Sequence, residues 1–325
     1  MGFDVVTVGN TLIDALLTLK DEGKHIKLNT ETHTLSIPAG EKLLIENVTF
    51  SLGGGASRVA VGLQRLGFRT AVFSEVGSDA LSDMSRNILH RQGISTTYLL
   101  SSENQSSFAV GLNFKSERTL FINHIEYEHN FSFRSLDTKW IYLGSLGKKW
   151  KHVYKDVVSF VKDKHIHLAF NPGGSQFTEG RDSFIDVLDV TDVLFVNKQE
   201  AQIIANHPHE DDVSHLLKAL HSLGPKTVVI TDGKNGSWYI SQSGAMYHIG
   251  IYPCEIVEKT GAGDAFAAGF LSGVLEGKTV QDALVFGTIN SASTIGKIGG
   301  ESGLLTKEHL LGMIEKGDVP EVEEL

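Results

Sequence analysis

The hydrophobic positions of the chain follow two different patterns, and the first one predicts the core of the fold. Short apolar runs rich in β-branched residues occur at residues 5–8, 70–74, 140–143, 168–170, 193–196 and 228–231. Segments with helical spacing lie between them, such as residues 59–67 and 83–92, which end at Gly67 and just before Gly93. Strands that alternate with helices predict an α/β fold with a doubly wound, mainly parallel sheet flanked by helices.

Two further regions alternate apolar and polar residues, as half-exposed strands do. The alternating apolar positions are Ile26, Leu28, Leu35 and Ile37 in residues 17–45, and Phe108, Val110, Leu112 and Phe114 in residues 107–125. We expect these two regions to pair as a small antiparallel β sheet. It would form a lid on a single domain of residues 1–325, and its apolar face would cover a ligand or form a homodimer surface.

Length and composition fit one large α/β domain. The 325 residues are 41% apolar and 21% charged, and no stretch approaches the roughly 18 consecutive apolar residues of a membrane span. The N-terminus lacks the basic region and long apolar core of a signal peptide. The single cysteine, Cys254, excludes an internal disulfide and fits a reducing compartment. We therefore expect a cytoplasmic protein in which Cys254 is a small buried residue.

The charge of the chain limits its partners. The formal net charge is −10, which argues against nucleic acid as a partner because the phosphate backbone attracts basic surfaces. The acidic residues 315–325 are expected to form a solvated tail. The overall charge does not argue against a local site for a small anionic ligand.

The tetrad Gly261-Ala262-Gly263-Asp264 carries the strongest chemical signal. Its two glycines allow a tight turn that brings backbone N–H groups close to a ligand, and an apolar helix is predicted to begin directly after it. A helix N-terminus binds anions, because its first amides lack intrahelical acceptors and the helix dipole is positive there. Asp264 could then accept a proton from a hydroxyl that attacks a phosphoryl group. The alternative is a plain turn with Asp264 as an ordinary first-turn residue.

Two segments near the start of the chain could bind a polyol, since ligands of open α/β sheets bind at the carboxyl ends of the strands. Asp14 follows the first predicted strand, and its two carboxylate oxygens could accept hydrogen bonds from two hydroxyls. It could equally be a surface or capping residue. Gly53, Gly54 and Gly55 precede a helix and would let a ligand approach the backbone. A flexible loop is the alternative for these glycines.

Two later segments could lie along a nucleotide. Asn197 and Glu200 have the spacing of a capping box, which explains both residues, and a functional interpretation adds a carboxylate and an amide near a Mg²⁺–phosphate group. Thr231 ends a predicted strand and precedes a hairpin signal that contains Gly233 and Gly236. The same turn would serve as a glycine-lined surface under a nucleotide.

Taken in order, these segments resemble the ribokinase-like (PfkB) family of sugar and nucleoside kinases, over nearly the whole chain. The resemblance implies ATP- and Mg²⁺-dependent phosphorylation of a hydroxyl on a small-molecule sugar or nucleoside. It implies that Asp264 is the general base and that the amides of residues 261–264 form an anion hole. It places the nucleotide beside Asn197, Glu200, Thr231, Gly233, Gly236 and Asn290, with Glu200 contacting the metal through water, and the acceptor beside Asp14, Gly53, Gly54, Gly55 and Arg58.

The sequence departs from the family pattern at several places. Arg58 stands where asparagine is usual beside the acceptor; it would suit an acceptor that bears phosphate or carboxylate, point to solvent or pair with an acid. Glu258 and Lys259 replace the usual Asp-Thr pair near a monovalent-cation site of some members, which leaves a requirement for such a cation open. Asn171 stands where aspartate is common.

The acceptor stays open among ribose, fructose, a sugar acid, a phosphosugar and adenosine. An alternative function is a non-catalytic sugar- or nucleotide-binding protein on the same fold, against which the retention of Asp264 argues. A nicotinamide-dependent dehydrogenase would also suit the α/β pattern, but no G-x-G-x-x-G fingerprint follows the first strand.

Overall fold

Ten strands form the main sheet in the described part of the chain, which in this computed structural model comprises residues 2–20, 26–32, 34–115 and 117–325. In spatial order the strands are β16 (Val322–Glu324), β15 (Met246–Ile249), β14 (Ser237–Ile240), β13 (Thr227–Thr231), β12 (Val193–Asn197), β11 (His167–Phe170), β10 (Thr138–Leu143), β1 (Phe3–Val8), β6 (Thr70–Val76) and β7 (Leu99–Ser101). The strands from β13 to β7 are parallel, and β14, β15 and β16 add antiparallel pairs at one edge.

Helices cover both faces of this sheet. In the described residues they are α1 (Gly55–Arg65), α2 (Ala80–Arg91), α3 (Lys151–Lys164), α4 (Gly174–Glu179), α5 (Ile185–Leu188), α6 (Lys198–Ala205), α7 (Val213–His221), α8 (Ala262–Leu275), α9 (Val280–Ile295) and α10 (Lys307–Glu315). Successive side chains of a strand point to opposite faces. Val6 therefore packs in a cluster with α3, α5, α6 and α7, while Val5 packs in another with α1, α8 and α9. The predicted doubly wound α/β fold is confirmed.

A separate small sheet stands beside the main one, as predicted, but its strands differ from the prediction. Its order is β5 (Ile45–Gly53), β2 (Leu12–Leu19), β8 (Phe108–Phe114) and β9 (Glu117–Asn123). The pairs β2–β5 and β8–β9 are antiparallel, whereas β2 and β8, which join its two halves, run parallel.

The predicted lid boundary at residues 17–45 is wrong, because the strands that join the small sheet extend outside this range. Within it, β3 (Lys27–Asn29) and β4 (Thr34–Ser36) pair only with each other in the described residues. Residues 21–25 and 33 of the predicted region lie outside the described residues. Alternation indicates that a segment is a half-exposed strand, but it does not select the strand's partner.

The acidic C-terminal segment is not simply a solvated tail. Its last strand, β16, pairs with β15 at the edge of the main sheet, with Ile249 opposite Val322. The apolar Val322 is half-buried, while Glu323 and Glu324 are exposed. Backbone pairing at an unoccupied sheet edge therefore outweighs the acidic composition of this segment.

The helix α8 carries the predicted anion turn and is held firmly in the core. Residues 265–273 are all buried. A Cβ atom on Gly269 would lie 2.4 Å from the carbonyl oxygen of Phe286 in α9, so the two helix backbones are in close contact. The N-terminus of α8 lies near the carboxyl end of β13, since Ala262 and Thr231 line the same cavity.

Candidate active site

The first turn of α8 forms the centre of the candidate site. Gly261 is its N-cap residue with φ +77°, and a Cβ atom there would lie 2.9 Å from the backbone of Gly300. Both constraints favour glycine. The amide of Ala265 donates to the Gly261 carbonyl at 2.8 Å, whereas the amides of Gly263 and Asp264 precede the point where intrahelical acceptors begin. The turn therefore has the geometry of an anion site.

Arg58 brings the two predicted acidic residues together. Its Nη1 lies 3.2 Å from Asp264 Oδ2, its Nη2 donates to Asp14 Oδ2, and its Nε donates to the Leu52 carbonyl at 3.3 Å. The side chains of Asp14, Arg58 and Asp264 are 4%, 11% and 15% exposed. Of the three alternatives for Arg58, pairing with an acid is the one observed, and it pairs with two.

Burial and ion pairing have opposite effects on the pKa values of the two carboxyl groups, Asp14 and Asp264. Burial raises the pKa of Asp264, and the charge of Arg58 counteracts part of this rise. The pKa of Asp14 is raised for the same reason and is likewise held down in part by Arg58. Burial opposes the charge of Arg58, but Asp14 and Asp264 outweigh it and raise the pKa of the guanidinium. Asp14, Arg58 and Asp264 therefore form one unit, the Asp14–Arg58–Asp264 unit, in which two acids share one fixed cation.

The three consecutive glycines leave room for this unit. A Cβ atom on Gly53 would lie 2.4 Å from Asp14 Oδ1, and one on Gly55 would lie 2.9 Å from Asp264 Oδ1. Gly54 has φ +90°, and a Cβ atom there would lie 2.0 Å from the carbonyl oxygen of Asn10. The stretch is thus a tightly packed turn at the start of α1, and the alternative of a loose loop is wrong.

Arg118 of the small sheet contacts the residues just before the α8 turn, and no sequence motif predicts this contact. It lies in β9, where its Nη1 donates to Thr260 Oγ1 and lies 3.6 Å from Glu258 Oε1. Glu258 is 3% exposed and also accepts hydrogen bonds from Thr260 Oγ1 and, at 2.9 Å, from the Gly299 amide. The position of Arg118 is typical of a solvent-facing residue in an alternating strand, so no local signal marks it.

A cavity of about 510 Å³ lies on the other side of the turn. Its walls include the predicted nucleotide residues Thr231, Gly233 and Gly236, together with Lys234, Gly250, Ile251, Tyr252, Cys254, Ile256, Lys259, Ala262, Gly263, Phe266, Thr288, Ser291, Ala292 and Ile295. Most of this lining is apolar, and the volume lies within the usual range of small-molecule sites. The predicted hairpin is present, since β13 and β14 pair antiparallel around Gly233–Asn235.

Asn197 and Glu200 form the predicted capping box at the start of α6. Asn197 Oδ1 accepts from the Glu200 amide at 2.9 Å, and Glu200 Oε2 accepts from the Asn197 amide at 2.9 Å. Burial raises the pKa of Glu200 to about 7, and the charge of Asp264 adds to this rise. Glu200 is therefore a carboxyl group that can ionise near neutral pH, close enough to Asp264 to feel its charge.

Two predicted residues occupy different environments from those expected. Cys254 is exposed and lines the cavity, because the segment between β15 and α8 runs along the surface. Asn290 is fully buried, with its Nδ2 donating to the Ala265 carbonyl at 2.7 Å and its Oδ1 accepting from the Leu305 amide at 2.9 Å. Its side chain joins α8 to neighbouring backbone and has no exposed surface for a nucleotide.

Asn171, which stands where the family usually has aspartate, is also engaged by the protein. Its Nδ2 donates to the Phe195 carbonyl at 2.7 Å, and its Oδ1 accepts from Tyr142 Oη at 3.2 Å.

No helix in the described residues is long and apolar enough to cross a membrane.

Comparison with known proteins identifies the family. The family model described as pfkB family carbohydrate kinase matches residues 23–307, so the chain belongs to the pfkB family of carbohydrate kinases. It is 26% identical to a ribokinase of Haemophilus influenzae over 87% of this chain and 95% of that protein. It is also 26% identical to a 5-dehydro-2-deoxygluconokinase of Clostridium perfringens, over 97% of this chain and 93% of that protein.

The fold is shared with solved structures of the same family. Arabidopsis thaliana ribokinase, solved in complex with ribose and ATP, matches with a TM-score of 0.76 at 19% identity, over 97% of this chain and 99% of that chain. The predicted family and the predicted ribokinase-like fold are both confirmed. The named relatives are kinases, which supports a sugar or nucleoside kinase for this chain.

Proposed function

We propose that this protein transfers the γ-phosphoryl group of ATP to a hydroxyl of a sugar or nucleoside. The observation that carries the proposal is the place of the α8 turn, with the cavity beside Gly263 on one side and the Asp14–Arg58–Asp264 unit on the other. A phosphoryl donor in the cavity and an acceptor beside Asp14 would meet at the amides of this turn. Such an arrangement suits in-line transfer.

In this mechanism Asp264 is the general base. It takes the proton of the acceptor hydroxyl while the hydroxyl oxygen forms a bond to the γ-phosphorus. The bond between that phosphorus and the β–γ bridging oxygen breaks, and its electron pair leaves with ADP. The amides of Gly263 and Asp264, at the positive end of the α8 dipole, donate hydrogen bonds to the phosphoryl oxygens, while Gly261 and Ala262 shape the turn.

The acceptor would bind where Arg58 holds the two carboxylates. We propose that Asp14 accepts hydrogen bonds from acceptor hydroxyls and that Gly53, Gly54 and Gly55 keep the backbone close enough for this. Arg58 would favour the ionised form of Asp264, which is the form a base needs. Because Arg58 already contacts both acids, an acceptor must enter beside the guanidinium and exchange at least one of these contacts.

The nucleotide side fits a Mg²⁺ ion that keeps most of its water. No group of three or more histidine, cysteine or acidic side chains that could hold a metal ion occurs in the described residues. Mg²⁺ commonly binds through one or two carboxylates, water and phosphate oxygens. We propose that Asn197 and Glu200 contact its water shell and that Thr231, Gly233 and Gly236 lie along the nucleotide. The bound ion would neutralise phosphate charge.

The direct test is release of ADP from Mg-ATP with a panel of acceptors. The panel contains ribose, fructose, a sugar acid, a phosphosugar and adenosine, each measured by coupled ADP detection with and without added potassium. We expect acceptor-dependent turnover with at least one member, without a need for potassium, because Arg118 already places a positive charge beside Glu258. Binding of acceptors without turnover would instead support a non-catalytic binding protein.

Cys254 provides an independent test of the nucleotide site, because it is the only cysteine of the chain and lines the cavity. We expect Mg-ATP to slow alkylation of Cys254 by a maleimide, with Cys254→Ser as the unlabelled control. Equal labelling rates with and without a saturating concentration of Mg-ATP would place the nucleotide elsewhere.

We also propose that a second copy of the chain docks on the outer face of the small sheet. The strand register puts Phe50, Ala15, Val110 and Phe121 in one row across the four strands. Phe50 and Phe121 are 52% and 57% exposed at the two edges. Light scattering should show a dimer that Phe121→Glu converts to a monomer, and a monomeric wild-type protein would refute the proposal.

A further inference from the structure

The inner face of the small sheet carries a row of polar residues that the proposed function has not used. Thr18 of β2 pairs with Asn113 of β8, and Asn113 pairs with Arg118 of β9. Directly paired residues point to the same face of a sheet. Asp14 lies four residues before Thr18 in the same strand, so its side chain points to that face as well.

Both ends of this face contact the candidate active site. Asp14 pairs with Arg58 at one end, and Arg118 pairs with Thr260 and Glu258 at the other. Thr260 directly precedes the Gly261 turn. The polar row therefore borders the same space as the proposed acceptor site, on the side remote from Asp14.

Two members of the row have buried polar atoms without partners. Among the described residues, Thr18 Oγ1 and both side-chain amide atoms of Asn113 are buried and make no hydrogen bond. Buried polar groups are normally paired, because leaving one unsatisfied costs about 1–3 kcal/mol. Thr18 and Asn113 are cross-strand neighbours, so the three unpaired polar atoms belong to one pair of residues. A ligand that hydrogen-bonds to these atoms would remove their cost in folding free energy.

We propose that Thr18, Asn113 and Arg118 form a subsite for the end of the acceptor remote from the phosphorylated hydroxyl. The inference rests on the proposed function and extends it. All three side chains can donate hydrogen bonds, and Arg118 has more N–H groups than its contacts with Thr260 and Glu258 use. The subsite therefore suits an oxygen-bearing group, which a hydroxyl, a carboxylate or a phosphate would supply.

The first test measures the stability of the ligand-free protein. Thr18→Val and Asn113→Leu replace unpaired polar groups by apolar groups of similar size. We expect each variant to keep or raise the Tm by about 1–3 °C, because an unsatisfied group has been removed. The control is Thr294→Val, since Thr294 Oγ1 is buried and donates to the Asn290 carbonyl at 3.0 Å; its Tm should fall.

The second test measures acceptor binding with the acceptors of the panel. We expect Asn113→Leu to raise the acceptor KM about tenfold or more, because a buried hydrogen bond to the acceptor is lost, while the KM for Mg-ATP stays within about twofold. Comparing neutral sugars, a sugar acid and a phosphosugar on wild type and variant identifies the oxygen group. The acceptor class with the largest change is the one that the row binds.

The outcomes separate this proposal from the proposed function. Turnover with an unchanged acceptor KM in both Thr18→Val and Asn113→Leu would overturn the subsite and leave the kinase intact. A fall in Tm for both variants would also overturn it, because the groups would then be paired within the protein. If no acceptor is turned over, the kinase fails. The subsite then stands only if an acceptor raises the Tm of wild type more than that of Asn113→Leu.

Discussion

The two sides of the α8 turn differ in chemistry although only a few residues separate them. The proposed acceptor side is built from charged side chains that are paired with one another, namely Asp14, Arg58, Asp264, Glu258 and Arg118. The proposed nucleotide side is a cavity with mainly apolar walls, among them Ile251, Ile256 and Phe266. Paired charges make a site selective, because a wrong ligand leaves one of them unsatisfied, whereas apolar walls select mainly by shape.

The substitution Asp264→Asn should have the greatest effect on activity, and it should affect only the proposed acceptor side. Asp264→Asn removes the proposed base while keeping the shape of the side chain, so kcat should fall about 10²–10⁴-fold. Binding of Mg-ATP, followed by protection of Cys254, should change little. A variant that keeps more than about a tenth of the wild-type rate would exclude Asp264 as the base.

A matched pair of glycine variants tests the packing of the two sides. A Cβ atom on Gly53 would lie 2.4 Å from Asp14 Oδ1, whereas one on Gly263 would meet nothing within 4 Å. Gly53→Ala should therefore displace Asp14, lower stability by about 1–3 kcal/mol and raise the acceptor KM. Gly263→Ala should fold normally and raise mainly the KM for Mg-ATP. Denaturant unfolding and steady-state kinetics measure both, and the reverse pattern would contradict this division.

The next effect concerns the pH dependence of the acceptor side. Arg58 holds down the pKa of Asp264, so Arg58→Met should let that pKa rise. The base works only when it is ionised, and activity is lost as the pH falls through its pKa. The acid limb of kcat/KM should therefore move to higher pH, because the charge that stabilises the ionised form has been removed. Arg58→Lys should move it less, and an unchanged limb in Arg58→Met would show that Asp264 does not control it.

The smallest effect concerns the nucleotide side. The pKa of Glu200 is about 7, so near neutral pH this carboxyl group is partly protonated. A Mg²⁺–nucleotide complex nearby would favour the ionised form, and about half a proton should be released per site at pH 7. Titration calorimetry in buffers of different ionisation enthalpy measures this release. It should disappear in Glu200→Gln, and a release that persists there comes from another group.

Local chemistry explains which features the sequence could predict. The capping box of Asn197 and Glu200, the hairpin after Thr231 and the glycine turn before α8 depend on residues close in sequence, so the sequence predicts each of them. The wrong expectations concern features that depend on residues far apart in sequence, such as the strands that join the small sheet and the environment of a single residue. Cys254 has a composition-based preference for burial, but the surface path of its segment exposes it.

The strand–helix alternation, and hence the doubly wound sheet, follows from the amino-acid pattern alone, because hydrophobic periodicity and turn residues act over a few positions. The pattern also identifies Asp264 and the glycines beside it as candidate site residues. Two contacts depend instead on how the elements pack: Arg58 contacts Asp264, 206 residues away, and Arg118 contacts Thr260, 142 residues away. The packing of whole helices and strands selects the partner of such a charge, and no local pattern of residues encodes that packing.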